Sequence, residues 1–403
     1  MFRYLGYPNA PKEIDLHSNV VGIAGIDNLL ASAVEAGEVP GVCALAATGG
    51  GTVYRGACGP RSEAGVWTED TVAWLGSMTK MIVAVGALQL VEAGALDLDA
   101  PLGDLLPALT RPEVLDGFGA DGQPRTRPAV NTITLRRLLS HTAGYGYHFW
   151  DENVRRYQET MGLPGIIECR EATLTTPLVF EPGTSWEYGM NIDFVGKLIE
   201  HVTQQDLEEY LRTHVLDPLG MHDTTFRLTP DHRAKLAAMH FRTPEGPTRI
   251  DFEMTQEPEF LMGGGALYGS PADYLTLLRM LLGRGTLDGK KILRPETVEL
   301  ATRNQIGEMS IGGFVTVDPA SSNDVEFMPG ITKKWNLLGM INVEETPGGR
   351  SAGSLFWAGL PNCYFWIDWG KDNAGVLFTQ LLPFGDPAVL QLFDRFENEI
   401  RGI

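Results

Sequence analysis

The sequence predicts an α+β fold in which one antiparallel sheet is built from strands near both ends of the chain. Strand-like apolar runs occupy the two ends and lie at 42–47, 52–58, 314–317, 354–357, 363–368 and 375–380. The region between Ser77 and about Gly285 is mostly helical in pattern, with long connections rich in Pro and Gly. Because strands and helices are segregated along the chain, we expect helices to flank the sheet and to form one large inserted region.

The helices are predicted from hydrophobic periodicity and from residues that start helices. They are expected at 21–38, 77–93, 134–140, 192–203, 205–215, 271–284 and 389–400. The helix at 271–284 has the clearest start, because Ser270 can cap its N-terminus and Pro271 takes the first helical position. These elements predict an α/β region with the sheet at 1–75 and 305–403, a mainly helical region at 76–304, and an active site between them.

The first two strands form a predicted hairpin, because Gly49-Gly50-Gly51 separates them. A phosphate-binding loop is the alternative for this glycine run. The Lys-Ser or Lys-Thr ending that such a loop needs is missing, so we favour the hairpin.

The chain of 403 residues is acidic, with 51 Asp and Glu against 32 Lys and Arg and a net charge of −19. Such a charge repels nucleic acid and anionic membranes, so we expect neither as a partner. No run approaches the roughly 18 apolar residues of a membrane span. Met1–Val20 has no basic start followed by an apolar run, so we expect no cleaved signal peptide.

Four cysteines are scattered along the chain without the spacing of metal ligands, at Cys43, Cys58, Cys169 and Cys363. We therefore expect no metal, and free thiols in a reducing cytoplasm. Cys43 and Cys58 lie on the predicted hairpin, so a single disulfide between them is the alternative.

Ser77-Met78-Thr79-Lys80 carries most of the functional information. It stands where a helix that is apolar nearly all round begins. Residues three apart share a helix face, so the Ser77 hydroxyl and the Lys80 amine are expected side by side. Burial disfavours a charged amine, and a neutral amine beside a serine can accept its proton. The alternative is a chance occurrence of the motif on a solvated helix.

A competing serine lies in Gly349-Arg350-Ser351-Ala352-Gly353, which matches G-x-S-x-G. The hydrolases that use this motif need a histidine later in the chain, and the last histidine here is His240. We interpret Ser351 as part of a turn before a strand. His141 and His148 are expected to be structural or to line a pocket rather than to act as a general base.

Two further segments can complete a site around Ser77. Tyr188 lies in a loop before a predicted helix, and a nearby cationic amine would lower the pKa of its phenol toward the working range. The strand that ends at Leu360 can offer a backbone N–H to an oxyanion, and Ala358-Gly359 would let a substrate approach it. A half-buried structural tyrosine and an ordinary core strand are the alternatives.

Five segments occur in the order and at the spacing of the serine β-lactamase-related hydrolases. They are Ser77–Lys80, Leu138–Gly144, Pro182–Tyr188, Gly263–Tyr268 and Trp357–Gly359. Over residues 25–385 the chain resembles this family, which includes class C β-lactamases, DD-peptidases and family VIII carboxylesterases. The resemblance implies a β-lactamase/DD-peptidase-like fold.

Two departures from the class C pattern distinguish this chain. Met190 stands where the class C enzymes carry the Asn of Tyr-x-Asn, and Trp357 replaces the Lys of Lys-Thr-Gly. Those residues hold the side-chain amide and the carboxylate of a β-lactam. Their loss favours neutral, apolar esters, so the chain is most similar to a family VIII carboxylesterase for short-chain or small neutral esters.

The resemblance also implies the role of each site residue. Ser77 is the nucleophile that forms an acyl-enzyme, Lys80 and Tyr188 form the acid–base pair, and the N–H groups of Ser77 and Leu360 form the oxyanion hole. No cofactor is implied, and the substrate is a small-molecule ester. The residues expected to bind it are Trp357, Gly359 and Tyr268, together with Phe149 and Trp150. The last two belong to the aromatic loop 145–150, for which a packed connection under the helical region is the alternative.

Three alternatives stay open at this point. An acyltransferase on the same site would pass the acyl group to an alcohol instead of water. A weak β-lactamase or an amidase of D-amino-acid substrates would share the nucleophile, but the missing Lys-Thr-Gly argues against it. A non-catalytic binding protein on the same scaffold is disfavoured by the presence of Ser77, Lys80 and Tyr188.

Overall fold

A computed structural model describes residues 24–401, and these contain eleven α-helices. The helices are α1 Ala24–Glu35, α2 Thr79–Glu92, α3 Leu135–Leu139, α4 Glu152–Met161, α5 Asn191–Thr203, α6 Leu207–Leu211, α7 Asp217–Leu219, α8 Pro230–Ala234, α9 Pro271–Leu282, α10 Pro295–Thr302 and α11 Pro387–Arg401. Short 3₁₀ turns lie at Gly76–Met78, Pro107–Leu109, Ile166–Glu168 and Glu171–Thr175, and a π-helical turn at Arg212–Leu216 joins α6 to α7.

Seven strands form the main sheet, and eleven short ones form small ribbons within the same described range. The main-sheet strands are β1 Val42–Thr48, β2 Gly51–Cys58, β13 Lys333–Trp335, β14 Met340–Asn342, β15 Leu355–Gly359, β16 Cys363–Asp368 and β17 Asn373–Phe378. The short strands are β3 Pro60–Ser62, β4 Gly65–Val66, β5 Ala73–Trp74, β6 Glu113–Phe118, β7 Pro124–Pro128, β8 His240–Thr243, β9 Gly246–Arg249, β10 Tyr268–Gly269, β11 Thr286–Leu287, β12 Lys290–Lys291 and β18 Leu381–Leu382.

The main sheet joins the two ends of the chain. Its strand order is β13-β14-β15-β16-β17-β1-β2, and every neighbouring pair is antiparallel. The N-terminal hairpin pairs with the C-terminal meander through β1 and β17, where Cys43 lies opposite Phe378. The predicted α+β class, with one antiparallel sheet made from both ends, is therefore confirmed.

Helices cover both faces of this sheet. Tyr274 of α9 packs its ring against Phe365, whereas Phe393 of α11 packs against Tyr364 and Trp366. Successive side chains of a strand point to opposite faces, so α9 and α11 lie on opposite sides. The sheet is consequently apolar on both faces, and all six residues of β16 are buried.

Helix α2 is buried on nearly every side, which explains why its sequence lacks a polar face. All residues from Thr79 to Leu88 are buried, including the charged Lys80. An α-helix that is apolar all round is stable only when other elements surround it. Here α5 and α6 pack against it, so the first turn of α2 is fixed inside the protein rather than on its surface.

Most predicted elements are present, and the errors have identifiable causes. The run at 314–317 is not a strand, because only Phe314 pairs, in a single bridge with Val325. The strands Lys333–Trp335 and Met340–Asn342 were not predicted, since the first is short and carries two lysines. The start of the helix expected at 21–38 and the segment Met1–Val20 lie outside the described residues.

The four cysteines are free and buried. Cys58 lies opposite Val42, and Cys43 lies opposite Ala57. The two thiols therefore point to opposite faces of the hairpin, and the alternative of a disulfide is wrong. Among the described helices, none is long and apolar enough to cross a membrane.

The G-x-S-x-G segment forms a turn before β15, as predicted. The Ser351 amide donates a hydrogen bond to Asp368 Oδ2 at 2.8 Å. Its neighbour Arg350 is buried and forms a bidentate ion pair with the buried Glu397 of α11, with 2.8 Å between Arg350 Nε and Glu397 Oε1. This segment therefore has a structural role, because it attaches the turn to the last helix.

We predict that Arg350→Ala lowers the free energy of unfolding by about 2–3 kcal/mol, because the buried Glu397 carboxylate loses its bidentate partner and keeps only its ion pair with Arg401. Urea unfolding measures this change. Arg303→Ala is the matched control, since it removes an exposed pair with Glu299 and should cost less than about 1 kcal/mol. Equal losses in the two variants would contradict the structural role of Arg350.

Candidate active site

Ser77 lies in the 3₁₀ turn Gly76–Met78, directly before α2, and is half-buried while its neighbours are buried. Gly76 has a φ of +51°, and a Cβ at this position would lie 2.6 Å from the backbone nitrogen of Leu360. A Cβ on Gly359 would lie 2.0 Å from the Leu75 oxygen. Only glycine fits at both positions. The serine turn therefore packs directly on the end of β15, beside the Leu360 N–H.

Lys80 reaches back to the serine from the first turn of α2. Its Nζ lies 3.1 Å from Ser77 Oγ, 3.0 Å from the Tyr147 hydroxyl and 2.7 Å from the Gly264 carbonyl oxygen. An ammonium has three N–H donors, so these three acceptors use all of them. Loss of one proton from Lys80 would leave a lone pair available to the Ser77 hydroxyl.

Asp193 of α5 supplies a negative charge close to this amine. Its side chain is fully buried, Oδ1 accepts the Gly264 N–H at 2.8 Å, and Oδ2 has no hydrogen-bond partner among the described residues. Gly264 thus connects the two charged groups, because its N–H donates to Asp193 and its carbonyl oxygen accepts from Lys80. Burial lowers the pKa of Lys80 and raises that of Asp193, and the attraction between the two charges opposes both shifts.

Tyr188 also lies next to Ser77. Its hydroxyl accepts a hydrogen bond from Trp357 Nε1 at 2.8 Å, and its ring centroid lies 4.6 Å from Lys80 Nζ. Burial raises the pKa of the Tyr188 phenol, although hydrogen bonds with Ser77 and Trp357 lower it in part. The expectation that its pKa would fall is wrong, because desolvation outweighs the nearby amine.

The hydroxyl partner of Lys80 is Tyr147 rather than Tyr188. The hydrogen bonds of Lys80 within the described part of the chain go to Ser77, Tyr147 and Gly264, and Tyr188 presents its ring face instead. The expected link between Lys80 and Tyr188 is therefore a cation–π contact. Sequence reasoning missed Tyr147, although it lies in the aromatic run 145–150.

Aromatic side chains enclose Tyr188. Ring centroids between 4.8 and 6.4 Å from that of Tyr188 belong to Tyr147, Trp150, Trp186, Phe314, Trp335 and Trp357. This arrangement excludes water from the phenol. It explains the raised pKa of Tyr188 and makes the surroundings of the serine apolar on this side.

The residues expected to bind substrate are only partly brought together. Phe149 stacks on Tyr147 at 4.9 Å, and the half-buried Trp150 lies 5.6 Å from Tyr188. Trp357 is 2 % exposed, and its indole donates a hydrogen bond to the Tyr188 hydroxyl. It therefore contacts the tyrosine rather than lining an open pocket.

Gly359 and Tyr268 are both held by close contacts. Gly359 lies against the serine turn, in the strand expected to supply the oxyanion N–H. Tyr268 is buried, and its hydroxyl accepts a hydrogen bond from the Met254 N–H at 2.9 Å. The expected contacts of both residues with substrate stay predictions.

Within residues 24–401, no group of three or more His, Cys, Asp or Glu side chains is placed to hold a metal ion. The chemistry available at Ser77 consists of a nucleophilic hydroxyl, a desolvated amine, two buried phenols and backbone N–H groups.

A family model described as beta-lactamase matches residues 26–396, which is nearly the whole described chain. The chain belongs to the β-lactamase family. This membership confirms the β-lactamase/DD-peptidase-like fold predicted from the five segments.

Three similar proteins connect this family member with acyl chemistry. Monacolin J acid methylbutanoyltransferase of Aspergillus terreus is 34% identical over 82% of each chain. Lovastatin esterase of Penicillium rubens is 30% identical over 93% of this chain and 97% of its own. A mutant simvastatin synthase from Aspergillus terreus has a TM-score of 0.81 and 31% identity, with 94% of both chains covered. The protein is thus an enzyme, a serine hydrolase or acyltransferase.

We predict that Asp193→Asn moves the acidic limb of the pH profile to lower pH. The Asp193 carboxylate raises the pKa of Lys80, so its removal lowers that pKa and the neutral amine forms at lower pH. A shift of about one pH unit or more is expected when a carboxylate that acts directly on the amine is removed. The measurement is kcat/KM for a p-nitrophenyl ester from acidic to mildly alkaline pH.

Asp273→Asn is the matched control for this shift. Asp273 is also a buried aspartate, but its carboxylate accepts from Thr224 and the Asp223 N–H rather than acting on Lys80. Its replacement should leave the limb in place. An unchanged or alkaline-shifted limb in Asp193→Asn would contradict the assigned charge coupling.

Proposed function

We propose that this enzyme transfers an acyl group from a small ester to an alcohol through a covalent intermediate on Ser77. The single observation that carries the proposal is the 3.1 Å contact between Ser77 Oγ and the Nζ of a buried lysine. Among the similar proteins, the transferase and the synthase favour acyl transfer over the simple hydrolysis expected from the sequence.

The first half of the proposed reaction makes the acyl-enzyme. Neutral Lys80 accepts the Ser77 proton as Oγ attacks the ester carbonyl. The raised pKa of Tyr188 keeps its phenol protonated, so Lys80 is the better base of the two. Tyr188 can then donate its proton to the leaving alcohol. The proton that Lys80 accepted from Ser77 afterwards restores the phenol.

The oxyanion is proposed to form between the backbone N–H groups of Ser77 and Leu360. The close packing of Gly76 on the Leu360 nitrogen supports this placement, because it holds the serine turn and the strand end together. Donors fixed in this way stabilise the developing charge without rearranging.

The second half is the reverse of the first, with a new alcohol as the nucleophile. Neutral Lys80 accepts the proton of that alcohol as its oxygen attacks the acyl carbonyl, and the proton passes to Ser77 Oγ as the new ester leaves. The apolar surroundings of Tyr188 favour an organic alcohol over water, because pockets for neutral ligands are mostly apolar. Trp357 also stands where a carboxylate-binding lysine would lie in the class C pattern, which supports neutral substrates.

Hydrolysis is the second candidate, and lovastatin esterase is the similar protein that favours it. The same acyl-enzyme would then react with water, as in the family VIII carboxylesterases that the sequence resembles. We propose that the two outcomes compete at one site.

The region boundaries, the partner and the cellular location are also proposals. We propose that the site lies between the sheet region, 1–75 and 305–403, and the helical region, 76–304. The proposed partner is a small ester or alcohol. Four free, buried thiols support a cytoplasmic location.

We predict that Ser77→Ala loses at least about 10³-fold in kcat/KM on p-nitrophenyl esters from acetate to dodecanoate, because the nucleophile is removed. Ser351→Ala is the matched control and should keep most of the activity, since its hydroxyl belongs to a turn before β15. The reverse pattern would overturn the assignment of the nucleophile.

We predict that adding a primary alcohol to the p-nitrophenyl ester reaction yields the new ester in preference to the free acid. Chromatographic quantification of the two products measures the partition. Release of p-nitrophenol should stay dependent on Ser77 whichever acceptor is used. Exclusive formation of the acid, even with excess alcohol, would establish hydrolysis in place of transfer.

A further inference from the structure

His141 is fully buried beside the proposed site, and no step of the proposed mechanism uses it. It follows α3 in a left-handed backbone conformation, with a φ of +57°. A non-glycine residue rarely adopts this backbone conformation, because it costs free energy and persists only where the surrounding structure holds it. The contacts of His141 show what this conformation achieves.

His141 holds the chain on both sides of Tyr188. Its carbonyl oxygen accepts the Glu187 N–H at 3.0 Å, and its Nδ1 accepts the Gly189 N–H at 3.4 Å. A Cβ on Gly189 would lie 2.1 Å from the Tyr145 oxygen, so the backbone here is closely packed. The residues before and after Tyr188 are thus bound to the same histidine.

The hydrogen bonds also define the tautomer of His141. The Asn191 side-chain nitrogen lies 2.9 Å from Nδ1 and 3.0 Å from the Tyr145 carbonyl oxygen. Rotating this amide would place its oxygen against that carbonyl, so the nitrogen faces both atoms and donates to both. Nδ1 therefore accepts two hydrogen bonds, and the single proton of a neutral imidazole resides on Nε2.

The remaining surroundings keep the ring neutral and in place. Nε2 is buried with no hydrogen-bond partner in the part of the chain that the structure describes, and Trp335 packs against the ring edge to face at 5.1 Å. The Tyr188 ring lies over it at 4.5 Å. Burial first, and then the charge of Lys80, lower the pKa of His141.

We infer that neutral His141 is a positioning residue, which fixes the Tyr188 phenol against Ser77 by accepting the Gly189 N–H at Nδ1. This inference rests on the proposed function of Tyr188. The acceptor atom at the Nδ1 position is the essential feature, since the charge of the ring takes no part. A side chain that keeps an acceptor there should keep the function better than one that keeps only a ring.

The test compares His141→Asn, which retains an acceptor near the Nδ1 position, with His141→Phe, which retains a ring without one. We expect His141→Phe to lose about 10²-fold in kcat with little change in KM, since small misplacements of reacting groups have effects of this size. We expect His141→Asn to stay within about tenfold of wild type, the cost of one weakened hydrogen bond. His222→Phe, at an exposed histidine outside the site, is the control and should leave kcat unchanged.

A measurement on the wild type needs no variant that might fail to fold. Nitrogen-15 NMR of labelled histidines should show His141 neutral, with its proton on Nε2, from about pH 5 to 8, the range in which an unperturbed imidazole changes its charge. Titration of His141 in that range, or a proton on Nδ1, would overturn the inference. Equal kcat values for His141→Asn and His141→Phe would also overturn the inference.

Failure of the inference is distinguishable from failure of the proposed function. If the proposed function is wrong, Ser77→Ala keeps wild-type activity. If only the role of His141 is wrong, Ser77→Ala is inactive while His141→Phe matches wild type.

Discussion

The structure of the site depends on the burial of a single lysine. Lys80 is 4 % exposed at the start of a helix that other elements surround, and its charged form is stabilised chiefly by Asp193 and three hydrogen-bond acceptors. Desolvation and the carboxylate act in opposite directions on the same amine, so a small change in either alters the population of the neutral base. The nearly apolar surface of α2 makes this balance possible, because it buries the amine.

Aromatic packing performs the corresponding role for Tyr188. The surrounding rings remove water from the phenol, and the indole of Trp357 gives its oxygen a donor. The phenol stays protonated and oriented, which suits a group that delivers a proton more than one that removes it. In the proposed mechanism the amine and the phenol thus have different roles, although both lie against the same serine.

The sequence predicted the fold and the contact between Ser77 and Lys80, and it predicted the partners of these residues less well. Strands such as Cys363–Asp368 are apolar runs bounded by turns, so local pattern identifies them. Ser77 and Lys80 are three residues apart on one helix, so their contact is local too. Tyr147 and Asp193 lie 67 and 113 positions from Lys80, and only tertiary packing brings them to it. An acid on the apolar face of α5 was the one available signal for Asp193.

The glycine contacts at the serine turn have a consequence for how this enzyme could diversify. Neither Gly76 nor Gly359 has room for a side chain, because each lies against the backbone of the other's segment. The distance between the nucleophile and the end of the strand is therefore invariant under substitution of the surrounding side chains. New substrate preferences can arise among the aromatic residues around Tyr188, such as Trp150 and Phe314, while the reacting geometry is inherited unchanged.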